Sequence, residues 1–200
     1  MNIENAEQLA AIDFSKAGGL VPVIVQHGMT GEVLMLGYGD EEALRRTLES
    51  GDLWLYSRSR GQHWHKGATS GNTQRVLSVS TDCDNDAVLV RVASRGPVCH
   101  TGARSCFKDP PTLLALADVI ARRAVELTEN SYTVRLLRDA NLRLKKLGEE
   151  AVELAVACNE GNREASAEEA ADLFYHALVA CRAAGVSLED ILIQLDHRRK

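Results

Sequence analysis

The stretch KDPPT, Lys108 to Thr112, divides this chain into two kinds of sequence. Paired prolines remove two backbone donors and push the preceding residue out of helical geometry, so a boundary is expected near Asp109–Pro111. All four prolines lie at or before Pro111, and 12 of the 15 glycines lie before residue 103, so turns belong to the first half. There LVPVIVQH (20–27), GEVLMLGY (31–38), LWLYSRS (53–59), VLSVSTD (76–82) and AVLVRVA (87–93) read as strands. One helix is expected among them at DEEALRRTLES (40–50), with Asp40 as N-cap and Gly51 as its stop. Past the prolines, Leu113, Leu116, Ala117, Ile120, Ala121 and Ala124 keep the helical period, as do Leu144, Leu147, Ala151, Leu154, Ala155 and Cys158. Gly161 is expected to close that second helix. Ser166, with Glu169 as its capping-box partner, should open the next, which ends at Gly185; a last short helix follows Ser187. The expected fold is two domains. Residues 1–109 form an α+β domain, β-rich with small helices, and residues 110–200 an all-α helical bundle.

Composition narrows the function. The 200 residues are 45% hydrophobic with a net charge of −5, which is ordinary for a globular chain and offers no polybasic surface for nucleic acid. MNIENAEQLAAIDF has neither the basic start nor the apolar centre of a signal peptide. No apolar run approaches the roughly 18 residues of a membrane span. Five cysteines without an export signal suggest reduced thiols, some on a metal, in a cytoplasmic protein.

Three of those cysteines fall in TDCDNDAVLVRVASRGPVCHTGARSCF (81–107). On extended backbone Asp82, Asp84 and Asp86 share one face while Cys83 points to the other. Three carboxylates make a hard oxygen site suited to Mg²⁺ or Ca²⁺; a solvated acidic turn is the plainer alternative. An EF-hand is excluded, because Ala87 and Ala93 stand where it needs Gly and Glu. Cys83, Cys99 and Cys106 would leave a fourth zinc position open for water, the pattern of a catalytic site. A structural Cys3His site using His100 is the rival, and simple burial of the thiols is a third reading.

TSGN (69–72), DCDND (82–86) and GPVCHTGARSCF (96–107) together resemble the phosphoribosyl-AMP cyclohydrolases of histidine biosynthesis, over about residues 10–108. The resemblance implies zinc on the three cysteines, Mg²⁺ on the three aspartates, and a zinc site completed across a homodimer. It also implies hydrolytic opening of an adenine ring at N1–C6, with His100 as the candidate general acid or base. The loop SRSRGQHWHKGATSGN (57–72) then supplies Arg58, Lys66, Ser70, Gly71 and Asn72 as candidates for a substrate phosphate. Trp54 and Trp64 read as packing residues.

The helical half carries Glu149-Glu150-x-x-Glu153 and, on the following helix, Glu169-x-x-Asp172. Spacing of three puts each pair on one face, so two antiparallel helices would gather Glu150, Glu153, Glu169 and Asp172. Cations reconcile such a cluster, and Mg²⁺ bridging to a polyphosphate is the natural occupant. Arg143, Lys145, Lys146 and Glu149 are the neighbouring substrate-binding candidates. Solvated glutamates, with Glu169 merely capping Ser166, are the alternative. NSYTVRLL (130–137), KKLGEEAVELAVA (145–157) and EEAADLFYHALV (168–179) resemble phosphoribosyl-ATP pyrophosphohydrolases, of the all-α nucleotide pyrophosphohydrolase type, over about residues 112–198. The expectation is a bifunctional, nucleotide-binding hydrolase using phosphoribosyl nucleotides, Zn²⁺ and Mg²⁺. A zinc nucleoside deaminase is disfavoured because H-x-E…P-C-x-x-C is absent. A non-enzymatic zinc adaptor would not need clustered acids on two helices.

Overall fold

A computed structural model describes residues 1–108, 110–126 and 130–198. The chain forms two compact units, Met1–Pro110 and Pro111–Lys200. Asp109, within the expected junction, lies outside the described residues.

In the first unit, β1 (Asn2–Ile3), β2 (Val21–His27), β3 (Val33–Gly39), β6 (Gln74–Thr81) and β7 (Val88–Ser94) make one sheet in the order β1-β6-β7-β2-β3. Only β2 and β7 pair in parallel. Alternation sets the faces. Val21, Val23 and Val25 on β2 and Val88, Val90 and Val92 on β7 are fully buried, each worth about 1.5–3 kcal/mol relative to exposure. Helix α1 (Glu41–Ser50) packs beside a hairpin of β4 (Trp54–Ser57) and β5 (Gln62–His65). As expected, Asp40 caps α1 by accepting from the Ala43 N–H, and Gly51 ends it in the left-handed region at φ 72°. The Thr47 hydroxyl donates to Ala43 O and accepts from the Trp54 N–H, which ties α1 to β4. Strand β5 was not expected, since QHWH has neither an apolar run nor clean alternation.

The second unit contains α2 (Thr112–Glu126), α3 (Tyr132–Arg138), α4 (Ala140–Glu160), α5 (Arg163–Ala183) and α6 (Leu188–His197). Ile120, Leu136, Leu178 and Val179 form its core. Gly161 stops α4 at φ 68°, and only Gly161 and Asn162 separate it from α5, so the two helices form a hairpin. One expectation is corrected here. Helix α5 starts before Ser166, because Asn162 is an equally good N-cap and accepts from the Ala165 N–H. Ser166 instead donates back to Asn162 O from inside the first turn, so Glu169 has no capping partner. Leu144, Val152 and Val156 on α4 and Phe174 on α5 remain exposed. No helix among the described residues is long and apolar enough to cross a membrane.

Candidate functional site

In the first unit, a tight turn after β7 brings two thiols together. Val98 N–H donates to Arg104 O and Cys99 N–H to Ala103 O, which folds Cys99 back towards Cys106. Cys106 N–H and the Ser105 hydroxyl both donate to Leu34 O, anchoring this turn on β3. Arg104 holds the buried Glu32 through two nitrogens, at 2.6 and 3.2 Å. The Thr101 hydroxyl, 3.2 Å from Cys99 Sγ, holds that thiol below its ordinary value, whereas burial pushes the Cys106 thiol up. His100 follows, with Nδ1 3.9 Å from Cys99 Sγ.

Cys99, His100 and Cys106 edge a cleft of about 560 Å³, within the usual range for a small-molecule site. Lys66, Ser70, Asn72 and Trp64 also line it. Two glycines shape the loop below. Gly67 sits at φ +87°, and a Cβ there would come within 2.1 Å of Asn72 O. A Cβ at Gly96 would come within 2.4 Å of Asn72 Oδ1. Gly67 thus lies against the Asn72 main chain and Gly96 against its side-chain amide, both without room for a Cβ. Lys66 Nζ donates to Val98 O at 2.7 Å, beside the thiols. Arg58 does not line the cleft; its guanidinium lies 3.6 Å from the centre of the Tyr38 ring. Arg60 and His65, which were not singled out from the sequence, do line it.

The aspartates converge, but not through extended strand. Residues 83–87 bend, with Asn85 at φ 60°, and this turn brings carboxylate oxygens of Asp82, Asp84 and Asp86 within 4.8 Å of one another. Asp82 Oδ1 accepts from the N–H groups of Asp86 and Ala87. Lys16 donates to Asp84 Oδ2 at 2.8 Å and to Asp86 Oδ2 at 2.9 Å, which holds the Asp84 carboxyl below its usual range. Sequence offers no sign of Lys16, which is 68 residues from Asp84. Cys83 is exposed, and within one chain its sulfur forms no such group with Cys99 and Cys106 among the described residues.

In the helical unit, Glu150 from α4 and Glu169 and Asp172 from α5 bring one oxygen each within 4.8 Å of the others. Glu150 is almost fully buried and its Oε1 lies 2.6 Å from Lys146 Nζ. Burial, then the charges of Glu153, Glu150 and Asp172, push the Glu169 carboxyl above the ordinary range. Glu149 pairs with Lys145 and Lys146, both at 3.3 Å. Arg143 Nη1 donates to Leu136 O and Leu137 O, closing the end of α3. His176, one turn beyond Asp172, places Nε2 3.7 Å from Glu150 Oε1. It was missed, although its spacing of four from Asp172 puts it on the same helix face.

Clustered acids on a helical hairpin, and a separate thiol-edged cleft in the β-rich unit, give the chain two candidate sites. Residues 35–108 match the phosphoribosyl-AMP cyclohydrolase family, and residues 113–199 match the phosphoribosyl-ATP pyrophosphohydrolase family. Among curated proteins, the histidine biosynthesis bifunctional protein HisIE of Synechocystis sp. is 45% identical, over 99% of this chain and 97% of its own. The HisIE protein of Escherichia coli is 43% identical over 97% and 98%, and that of Bacillus subtilis 46% over 90% and 91%. The chain belongs to the HisIE family of bifunctional histidine-biosynthesis hydrolases.

Proposed function

We propose that the helical unit hydrolyses phosphoribosyl-ATP to phosphoribosyl-AMP and pyrophosphate, and that the N-terminal unit then opens the adenine ring of that product at N1–C6. The convergence of Glu150, Glu169 and Asp172 from two helices carries the first assignment. Carboxylates this close repel, and a hard divalent cation reconciles them, so the donor set fits Mg²⁺. Glu150, Glu153, Glu169 and Asp172 would hold it, and when bound it supplies positive charge for the polyphosphate oxygens. Lys145 and Lys146, already partnered by Glu149, are candidate cations for the outer phosphates.

For ring opening, Cys99 and Cys106 are soft sulfur donors that fit Zn²⁺, with Cys83 of a partner subunit as the third. Zinc held there supplies a water acidified towards pKa ~7. His100 sits on the cleft wall next to Cys99 and serves as the proton-transfer group. Ser70 and Asn72, which also line the cleft, with Gly71 between them, orient the nucleotide, and Lys66 secures the thiol turn through Val98 O. Asp82, Asp84 and Asp86 fit a second Mg²⁺, which would share their oxygens with Lys16. Exposed Leu144, Val152, Val156 and Phe174 support pairing of two chains, and five free cysteines suit the cytoplasm.

The test is a time course with phosphoribosyl-ATP, Mg²⁺ and Zn²⁺, following pyrophosphate and ring-opened product separately. Pyrophosphate should appear without delay and the ring-opened product after a lag. Absence of pyrophosphate overturns the reading. A second experiment addresses the shared zinc. Inactive Cys83→Ser chains mixed with inactive Cys99→Ser chains should regain part of the ring-opening activity, because one of the two sites in a mixed dimer is whole. An active, zinc-loaded monomer would refute sharing.

A further inference from the structure

His176 is only 4% exposed, yet its Nδ1 is buried without a hydrogen-bond partner. The rings of Tyr132 and Tyr175 meet the imidazole edge-on, with centroids at 6.0 and 5.0 Å, and fix its plane. Its Nε2 faces Glu150 Oε1 at 3.7 Å, slightly beyond a formed hydrogen bond. The tautomer follows from what each nitrogen meets. A proton on Nδ1 would bury an unpaired donor and turn the Nε2 lone pair towards a carboxylate. A proton on Nε2 points a donor at Glu150 and leaves only an acceptor unpaired, which is the lesser cost. Lys146 approaches the same oxygen at 2.6 Å. With Lys146 on Oε1 and Nε2 facing that same oxygen, the lone pairs of Oε2 are left for a cation.

We infer that His176 is a positioning residue for the pyrophosphohydrolase site: its Nε2–H fixes the rotamer of Glu150, so that Oε2 is presented to the divalent cation. The inference rests on the proposed role of Glu150, Glu169 and Asp172 as cation ligands. Carboxylate ligands are themselves held by hydrogen bonds, and loss of such a partner weakens metal affinity without removing a ligand.

The test is titration of the full-length protein with Mn²⁺, a paramagnetic stand-in for Mg²⁺, following free Mn²⁺ by electron spin resonance without substrate. The site lost in Glu150→Gln defines the helical-unit site. His176→Met keeps the bulk without the donor and should weaken that site about 10–100-fold, whereas His176→Gln, which keeps an N–H at similar reach, should stay within about threefold of wild type. A Met variant that binds like wild type, or a Gln variant as weak as Met, overturns the inference. Wild type and Glu150→Gln binding alike would overturn the ligand reading itself, and this inference with it. If the Met variant does not fold, nitrogen-15 spectra of the wild-type imidazole decide: the Nε2–H tautomer supports the role, and the Nδ1–H tautomer refutes it.

Discussion

Cys99→Ser and Cys106→Ser should each abolish opening of phosphoribosyl-AMP while pyrophosphate release from phosphoribosyl-ATP continues at its full rate. The loss should be at least about 100-fold, since disturbing a mere neighbour of a metal ligand already costs 10–100-fold. Serine keeps the size of the side chain but replaces a soft thiolate by a hydroxyl that stays protonated at neutral pH. The turn itself survives, because backbone N–H groups of Val98, Cys99 and Cys106 hold it. Metal analysis should find about one tightly held zinc per chain in wild type, as expected for thiolate sites, and a deficit in both variants. Full ring opening by zinc-free protein would end the assignment.

Asp172→Asn and Glu150→Gln should reduce pyrophosphate release at least about 100-fold, by the same comparison, with ring opening of supplied phosphoribosyl-AMP unchanged. Their effects on stability should differ. Asp172 is exposed and adds to the charge that raises Glu169, so its neutralisation leaves the metal-free protein as stable as wild type or more so. Glu150 is buried against Lys146, and Gln removes that partner's countercharge, so this variant should be the less stable of the two. The pH dependence has a definite sign. Glu169 has a folded pKa raised above that of the unfolded chain, so the stability it contributes is present below the unfolded pKa. That contribution is lost as pH rises through the folded pKa. Relative to wild type, metal-free Asp172→Asn should therefore gain thermal stability as pH rises across that window, because the charge that raises Glu169 is reduced. Variants that unfold readily yet still hydrolyse phosphoribosyl-ATP would show the acids to be structural.

Period and punctuation located most of the elements, because alternating valines in β2 and β7 and the stops at Gly51 and Gly161 act locally. Strand β5 escaped because QHWH owes its conformation to its partner β4, and the start of α5 was displaced because Asn162 caps as well as Ser166 does. The acids of the helical unit were readable because helix geometry converts spacing directly into proximity. The aspartate group was readable for a different reason from the one the alternation suggested: a turn, rather than a strand, gathers it. Lys16, Arg60 and the pairing of Lys66 with Val98 O depend on tertiary folding and leave no mark in local sequence.

The clamp on Asn72 has a consequence for anyone reshaping the cleft. Gly67 and Gly96 carry no side chain, yet both give Asn72 its place, the first at its main chain and the second at its side-chain amide. Substituting the asparagine itself changes one side chain at the rim. Substituting Gly67 pushes a backbone segment, because its Cβ would meet main-chain atoms of Asn72 and Thr73 that cannot rotate away, whereas substituting Gly96 displaces the Asn72 side chain. The cleft is therefore better reshaped at Arg60, His65 and Thr69, which line it with side chains, than at Gly67, which lines it without room for one, or at Gly96.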